Sequence, residues 1–131
     1  MILVDTSVWA DFFRGKEPAA ARVDELLEAD EVALAGPIVT ELLRGVRSPK
    51  ARADLEAALA GCHVLADPAG LWRDAGLLGA AAGKKGHTVK TLDLLIATYA
   101  IAHDVALLTS DSDFVKLRDA GFALRLASAV V

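Results

Sequence analysis

One cysteine, three histidines and no long apolar run set the first limits on this 131-residue chain. A single thiol, Cys62, cannot build an internal disulfide framework, so a reducing, cytoplasmic setting is the expectation. Cys62 also lies in no recognisable nucleophile motif and reads as a structural thiol. His63, His87 and His103 lack paired metal-ligand spacing, which with one cysteine argues against zinc. No apolar stretch approaches the roughly 18 residues needed to cross a bilayer. Ala75 to Gly83 is too short and too rich in glycine and alanine. The N-terminus has no basic leader, and Asp5 interrupts its apolar run, so no signal peptide is expected. No glycine-rich phosphate loop precedes a helix. Positive charge is scarce as well: 14 Lys and Arg stand against 18 Asp and Glu, for a net charge of −4. The pI near 5.3 argues against a general nucleic-acid binder. That exclusion weakens if several acids gather in one metal site, where bound cations cancel them locally.

What the chain does contain is apolar: 54% hydrophobic residues and a mean hydropathy of +0.41. Its length suits one domain, residues 1–131, burying about two thirds of the unfolded surface. Ile2-Leu3-Val4 reads as a short strand covered on both faces. Thr6 or Ser7 would cap a helix from Val8 to Arg14, ended by Gly15. Pro18 opens a second helix to about Ala29, with Val23, Leu26 and Leu27 as its apolar stripe. Val32 to Ala35 is a second strand, and Gly36-Pro37 starts a helix ending near Gly45. Ser48-Pro49 starts another, stopped by Gly61, before a strand at His63 to Leu65. A long helix is expected from Asp67-Pro68, with Gly76, Gly79 and Gly83 tolerated where a neighbouring helix comes close. Gly83 to Gly86 reads as a loop, and Thr88 or Thr91 would cap a largely apolar, hence central, helix to His103. Val105 to Thr109 is a fourth strand, Ser112 to Ala120 a short helix, and alternating Phe122 to Leu126 an edge strand. Alternating strands and helices imply an α/β fold with a mainly parallel sheet.

Four acids occupy unusual places in this pattern. Asp5 and Asp111 directly follow buried strands, Glu41 sits within an apolar helix face, and Asp93 starts the most apolar helix. Right-handed crossovers bring the carboxyl ends of parallel strands to one sheet edge. Acids in apolar surroundings are costly unless paired, hydrogen-bonded or bound to metal. Converging carboxylates suit Mg²⁺ or Mn²⁺, hard cations that take oxygen ligands. Such a site can activate water and stabilise an in-line phosphoryl displacement. Each acid also has an ordinary reading: Asp5 and Asp93 as helix caps, Glu41 as an exposed helical acid, Asp111 as a turn residue. Asp113 is a fifth candidate, with helix capping an equal explanation.

These motifs resemble those of PIN-domain ribonucleases. The segments are Asp5-Thr6-Ser7 after Ile2-Leu3-Val4, Thr40-Glu41-Leu42-Leu43-Arg44-Gly45, Leu92-Asp93-Leu94-Leu95-Ile96-Ala97 and Leu107-Leu108-Thr109-Ser110-Asp111-Ser112-Asp113-Phe114. Their order and spacing are most similar to those of VapC-type toxins of bacterial toxin–antitoxin pairs, over essentially the whole chain. The resemblance implies a three-layer α/β/α domain and a Mg²⁺- or Mn²⁺-dependent endoribonuclease. It implies that Asp5, Glu41, Asp93 and Asp111 are catalytic, with Asp5, Asp93 and Asp111 on metal. Glu41 would ligate a second metal or orient water, and Asp113 is a further possible ligand. Thr6 and Thr109 match hydroxyls that orient carboxylates or water. Arg14, Arg44, Lys84 and Lys85 are candidates for RNA phosphates. The implied partners are an RNA substrate, a cognate VapB-type antitoxin and a second copy of the chain, with no membrane. Trp9, Phe12 and Phe13 read as core residues or, in part, as an antitoxin-binding surface facing the helix pair near Arg44. The small-residue helix from Gly76 to Gly83 is a candidate dimer contact.

Two other readings stay open on sequence. A non-catalytic PIN-like binding module would usually have lost part of the acidic quartet. A phosphate-accepting receiver-type domain would carry adjacent acids after the first strand and a lysine after a late one. Here Asp5 stands alone and Thr109-Ser110-Asp111 fills the late position.

Overall fold

The structure, a computed structural model, describes residues 1–127. β1 (Ile2–Val4) leads into α1 (Thr6–Phe13), and α2 (Ala19–Glu28) leads to β2 (Val32–Leu34). α3 (Gly36–Arg44) and α4 (Pro49–Leu59) precede β3 (His63–Val64). α5 (Leu71–Lys84) and α6 (Thr91–Ala102) lead to β4 (Ala106–Leu108), and α7 (Ser112–Asp119) follows. The four strands lie in the order β3-β2-β1-β4, and every pairing is parallel.

Strand chemistry explains that sheet. Leu3, Val4, Val32, Ala33, Leu34, Leu107 and Leu108 are all buried, as strands covered on both faces require. The chain steps from β1 to β2 to β3 in one direction, then crosses back to β4 beyond β1. Right-handed crossovers therefore put the later helical connection on the opposite face from the earlier ones. The expected helix–sheet–helix layering follows. It also places β1 and β4 side by side, in the register Val4 to Leu108, at the point where strand order reverses. In open parallel sheets that crevice is where sites form.

α6 is central, as its composition predicts: Leu94 through Ala100 are buried without interruption. It packs on α5 so closely that a Cβ on Gly79 would come within 2.7 Å of a Leu94 methyl. The close approach anticipated for the glycine-rich helix is thus real at Gly79. Gly76 and Gly83 are different, because a Cβ on either would meet nothing within 4 Å.

Several boundaries depart from the sequence reading. α1 starts at Thr6, with Asp5 in the cap position, so neither Thr6 nor Ser7 caps it. Their hydroxyls bond carboxylates instead. α5 begins at Leu71, because Gly70 takes a left-handed φ of +73° and Asp67 accepts a 2.5 Å bond from the Tyr99 hydroxyl. The helix then runs through Gly83 to Lys84. Lys90, not Thr88 or Thr91, holds the cap position of α6. Phe122 to Leu126 is not a continuous strand: a single parallel bridge joins Leu126 to Leu107. The Arg125 backbone carbonyl accepts the Leu107 amide at 2.9 Å, while its side chain donates to the carbonyl and carboxylate of Asp104. No helix among the described residues is long and apolar enough to cross a membrane.

Candidate active site

The β1–β4 ladder continues one residue past the strands. The Asp5 amide donates to the Leu108 carbonyl at 2.9 Å, which brings Asp5 beside Thr109. Asp5 is only 3% exposed. A buried carboxylate needs donors, and two hydroxyls provide them. Ser7 Oγ and Thr109 Oγ1 both donate to Asp5 Oδ2, at 2.9 and 2.8 Å. Among the described residues no donor reaches Oδ1.

Those hydroxyls also tie two turns together. Thr109 Oγ1 accepts the Asp111 amide at 3.0 Å, and Ser7 Oγ accepts the Ser110 amide at 3.2 Å. The turn after β1 and the turn after β4 are cross-linked through the Asp5 carboxylate. The place of Ser7 two residues after Asp5 suits it on sequence to capping or to supporting that carboxylate, and the structure gives it the second role. Asp111 is the N-cap of α7, accepting the Asp113 amide through Oδ1 at 2.9 Å. Its ordinary role is thus that of a helix cap rather than a turn residue, and it leaves the second oxygen uncommitted to the cap.

Asp113 follows in the first turn of α7, and Asp93 occupies the first turn of α6. Carboxylate oxygens of Asp93, Asp111 and Asp113 lie within 4.8 Å of one another. Among the described residues this is the one group of His, Cys, Asp or Glu close enough to hold a metal ion. Lys116 approaches Asp113 at 3.4 Å, a partly exposed contact that leaves the trio strongly acidic. Burial, then the charges of Asp111, Asp5, Glu41 and Asp113, push the Asp93 carboxyl from 3.8 up to about 6. All five acids therefore share one electrostatic neighbourhood. Glu41, half-buried on α3, accepts a 2.8 Å bond from Thr6 Oγ1. Thr6 thus orients Glu41 much as Thr109 and Ser7 orient Asp5.

The four basic candidates separate. Arg14 is exposed and pairs with Asp11 at 3.8 Å. Arg44 and Lys84 are exposed at the ends of α3 and α5. Lys85 is engaged elsewhere: its ammonium donates to the Ala120 carbonyl and sits 4.9 Å from the Phe122 ring centre. That position closes the end of α5 onto the end of α7, a role invisible in a Lys-Lys pair.

Beside the acids, α1, α3 and α4 enclose an open groove of about 590 Å³. Phe13, Leu42, Val46 and Leu55 give it apolar walls, and Thr6 and Glu41 belong to its lining. Of the three aromatics on α1, Trp9 is fully buried and stacks on Phe13 at 5.8 Å. Phe13 is 45% exposed and faces the groove.

A parallel sheet with acids gathered at its carboxyl edge marks this crevice as the site of the fold. The PIN domain family matches residues 2–120. The chain belongs to that family, and within it to the VapC ribonucleases. It is 38% identical over 119 residues to VapC ribonuclease Mb1587 of Mycobacterium bovis, covering 87% of this chain and 89% of the relative. The same figures hold for ribonuclease VapC11 of Mycobacterium tuberculosis. In structure it is similar to VapBC2 of Rickettsia felis, with a TM-score of 0.78 and 21% identity over 97% of this chain and 98% of that one. It is also similar to VapBC-5 of Mycobacterium tuberculosis, at a TM-score of 0.65 and 25% identity, covering 95% of this chain and 94% of that one. These likenesses establish the fold.

Proposed function

We propose that the chain is a divalent-metal-dependent endoribonuclease and the toxin of a toxin–antitoxin pair. The carrying observation is the convergence of Asp93, Asp111 and Asp113 within 4.8 Å, with Asp5 and Glu41 in the same electrostatic neighbourhood. The donor set consists of carboxylate oxygens, which suits a hard cation such as Mg²⁺ or Mn²⁺ and disfavours zinc. The raised Asp93 carboxyl supports the same reading, since burial, and then like charges held together without a cation, favour protonation.

Asp93, Asp111 and Asp113 would hold the metal, and Asp5, outside that 4.8 Å group but in its electrostatic neighbourhood, would act as the further ligand. When bound, a divalent cation supplies Lewis-acid activation of water and neutralises charge on the phosphate. Ser7 and Thr109 hold the Asp5 carboxylate through Oδ2, leaving Oδ1 without a hydrogen bond among the described residues. Glu41, fixed by Thr6, would orient the attacking water or serve a second cation. The reaction hydrolyses an RNA phosphodiester.

The groove between α1, α3 and α4 fits a peptide from a VapB-type antitoxin, which would cover Glu41 while filling the apolar walls. Such an occupant would block RNA and inhibit the enzyme directly. A homodimer is proposed through the outer face of α5, where Trp72 is 75% and Leu77 53% exposed. The whole chain is proposed to act as one nuclease domain in the cytoplasm. VapC relatives are ribonucleases by name, which supports the toxin reading. The test is RNA cleavage by nuclease-free protein with and without Mn²⁺, wild type against Asp5→Asn. Strict metal dependence and loss of cleavage in the variant are expected; equal activity would overturn the assignment.

A further inference from the structure

Five of the eight arginines of this chain have an acidic neighbour within 4.0 Å. Arg14 pairs with Asp11, Arg22 with Glu25, Arg73 with Asp74, Arg118 with Asp119 and Arg125 with Asp104. Arg44, Arg47 and Arg52 behave differently. All three are exposed, and among the described residues none has an acid within 4.0 Å. They fall where α3 ends and α4 begins.

A recess of about 410 Å³ opens at that junction. Arg47, Arg52 and Ser48 provide its polar lining, and Leu43, Val46 and Pro49 its floor. The acids nearest in sequence make no ion pair with it: Asp54 is taken by Lys50 at 3.0 Å, Glu41 accepts from the Thr6 hydroxyl, and Glu56, one turn along α4, comes within 4.0 Å of no arginine among the described residues. Arg47 also lines the larger groove that Thr6 and Glu41 share. It is therefore common to the acid-lined groove and to the basic recess.

This juxtaposition answers a difficulty of the whole molecule. A chain of net charge −4 with five crowded acids repels a polyanion. A substrate with phosphates on both sides of the cleaved bond needs cations beside the acids, not among them. Guanidinium groups are suited to this, because their planar fork binds phosphate oxygens in pairs and stays charged at every working pH. We propose that Arg47 and Arg52 form a phosphate subsite for the RNA strand, holding a phosphodiester flanking the one that is cut. Arg47 connects that subsite to the groove leading to the acids. The inference rests on the ribonuclease reading and adds a substrate contact to it. It also adds two contacts to the four basic candidates, of which Lys85 has its ammonium engaged with Ala120 and Phe122.

The experiment compares wild type with Arg47→Ala, Arg52→Ala, the double variant, and the double Lys replacement. Binding of a labelled single-stranded RNA is followed by anisotropy in EDTA across a salt series. Each lost phosphate contact should flatten the log–log salt slope by about 0.7, so the double Ala variant should differ by about 1.4. The Lys variants should keep most of the slope while binding several-fold more weakly. In Mn²⁺, KM for the long RNA should rise about tenfold in the double Ala variant with kcat within about twofold. A dinucleotide, which carries only the scissile phosphate, should be cut equally by both proteins. An unchanged slope and KM on long RNA would overturn the subsite while leaving the ribonuclease reading intact. So would equal impairment on the dinucleotide, which would mean general damage. Loss of antitoxin binding with RNA binding unchanged would assign the recess to the protein partner instead. A wild type that neither binds nor cuts RNA would end both readings.

Discussion

Asp5 and Asp111 hold the same place relative to a helix and do opposite things with their side chains. Asp5 follows β1 directly, whereas Thr109 and Ser110 separate Asp111 from β4; each takes extended backbone angles, and each is the N-cap residue of the next helix. Asp111 turns back and accepts the Asp113 amide. Asp5 makes no side-chain cap and accepts two hydroxyls from other parts of the chain. The strand–Asp–helix pattern therefore sets where a carboxylate sits along the chain, while its neighbours across the sheet decide what it binds. Thr109, bonded to both residues, is the joint between them.

The largest expected effect comes from removing the charges while keeping the shapes. Asp5→Asn and Asp111→Asn should each lower kcat/KM by more than about 100-fold, since the loss of a metal ligand exceeds the usual 10–100-fold cost of losing a group that supports one. Their stabilities should separate the pair. Asn caps helices as well as Asp, so Asp111→Asn should melt close to wild type without metal. Activity of Asp111→Asn near wild type would mean that Asp111 is only a cap.

Alanine sharpens the contrast in stability. Asp111→Ala should cost about 1 kcal/mol through the lost cap. Asp5→Ala should cost about 1–3 kcal/mol by a different route, leaving the Ser7 and Thr109 hydroxyls without their shared acceptor. Equal urea midpoints for the two variants would break the comparison. Thr109→Val removes the joint itself. Metal affinity or activity should fall by about 10–100-fold, with the fold retained by circular dichroism.

Asp93, a third acid at a helix start, gives the smallest and most diagnostic effect. Its carboxyl lies at about 6 in the folded chain against 3.8 for the free group. The metal-free native state therefore holds an extra proton between those values. Its contribution to stability is present on the acid side and is lost as pH rises through about 6. A divalent cation should remove this loss, and Mn²⁺ affinity by titration calorimetry should weaken as pH falls below 6. Metal affinity independent of pH across that window would separate Asp93 from the metal.

Much of the framework was legible in the residues. Wholly apolar runs at β1, β2 and β4 have no polar face to give to water, so they had to lie inside a parallel sheet. The uninterrupted apolar surface of α6 made it central for the same reason. Helix starts were harder. Gly70 and Asp67 delay α5 through a left-handed turn and a bond to Tyr99, which is 32 residues away. The alternation at 122–126 suited a strand, yet only Leu126 found a partner on the outer edge of β4. Asp113 was ranked below the other acids because capping explained it equally well. The structure puts it in the tightest carboxylate group, because the first turn of α7 meets the first turn of α6.

By itself the sequence determined the alternation of elements, the buried strands and the positions of five acids along them. Those follow from local rules: apolar runs seek the interior, and polar residues at strand ends emerge at an edge. Tertiary structure alone decided which carboxylate each hydroxyl holds: Ser7 and Thr109 share Asp5, and Thr6 holds Glu41. It also decided that Lys85 would close two helices and that Arg47 would border both the groove and the recess. Hydrogen bonds and charges act over a few ångströms, and only the folded chain brings residues as distant as Asp5 and Thr109 within that range.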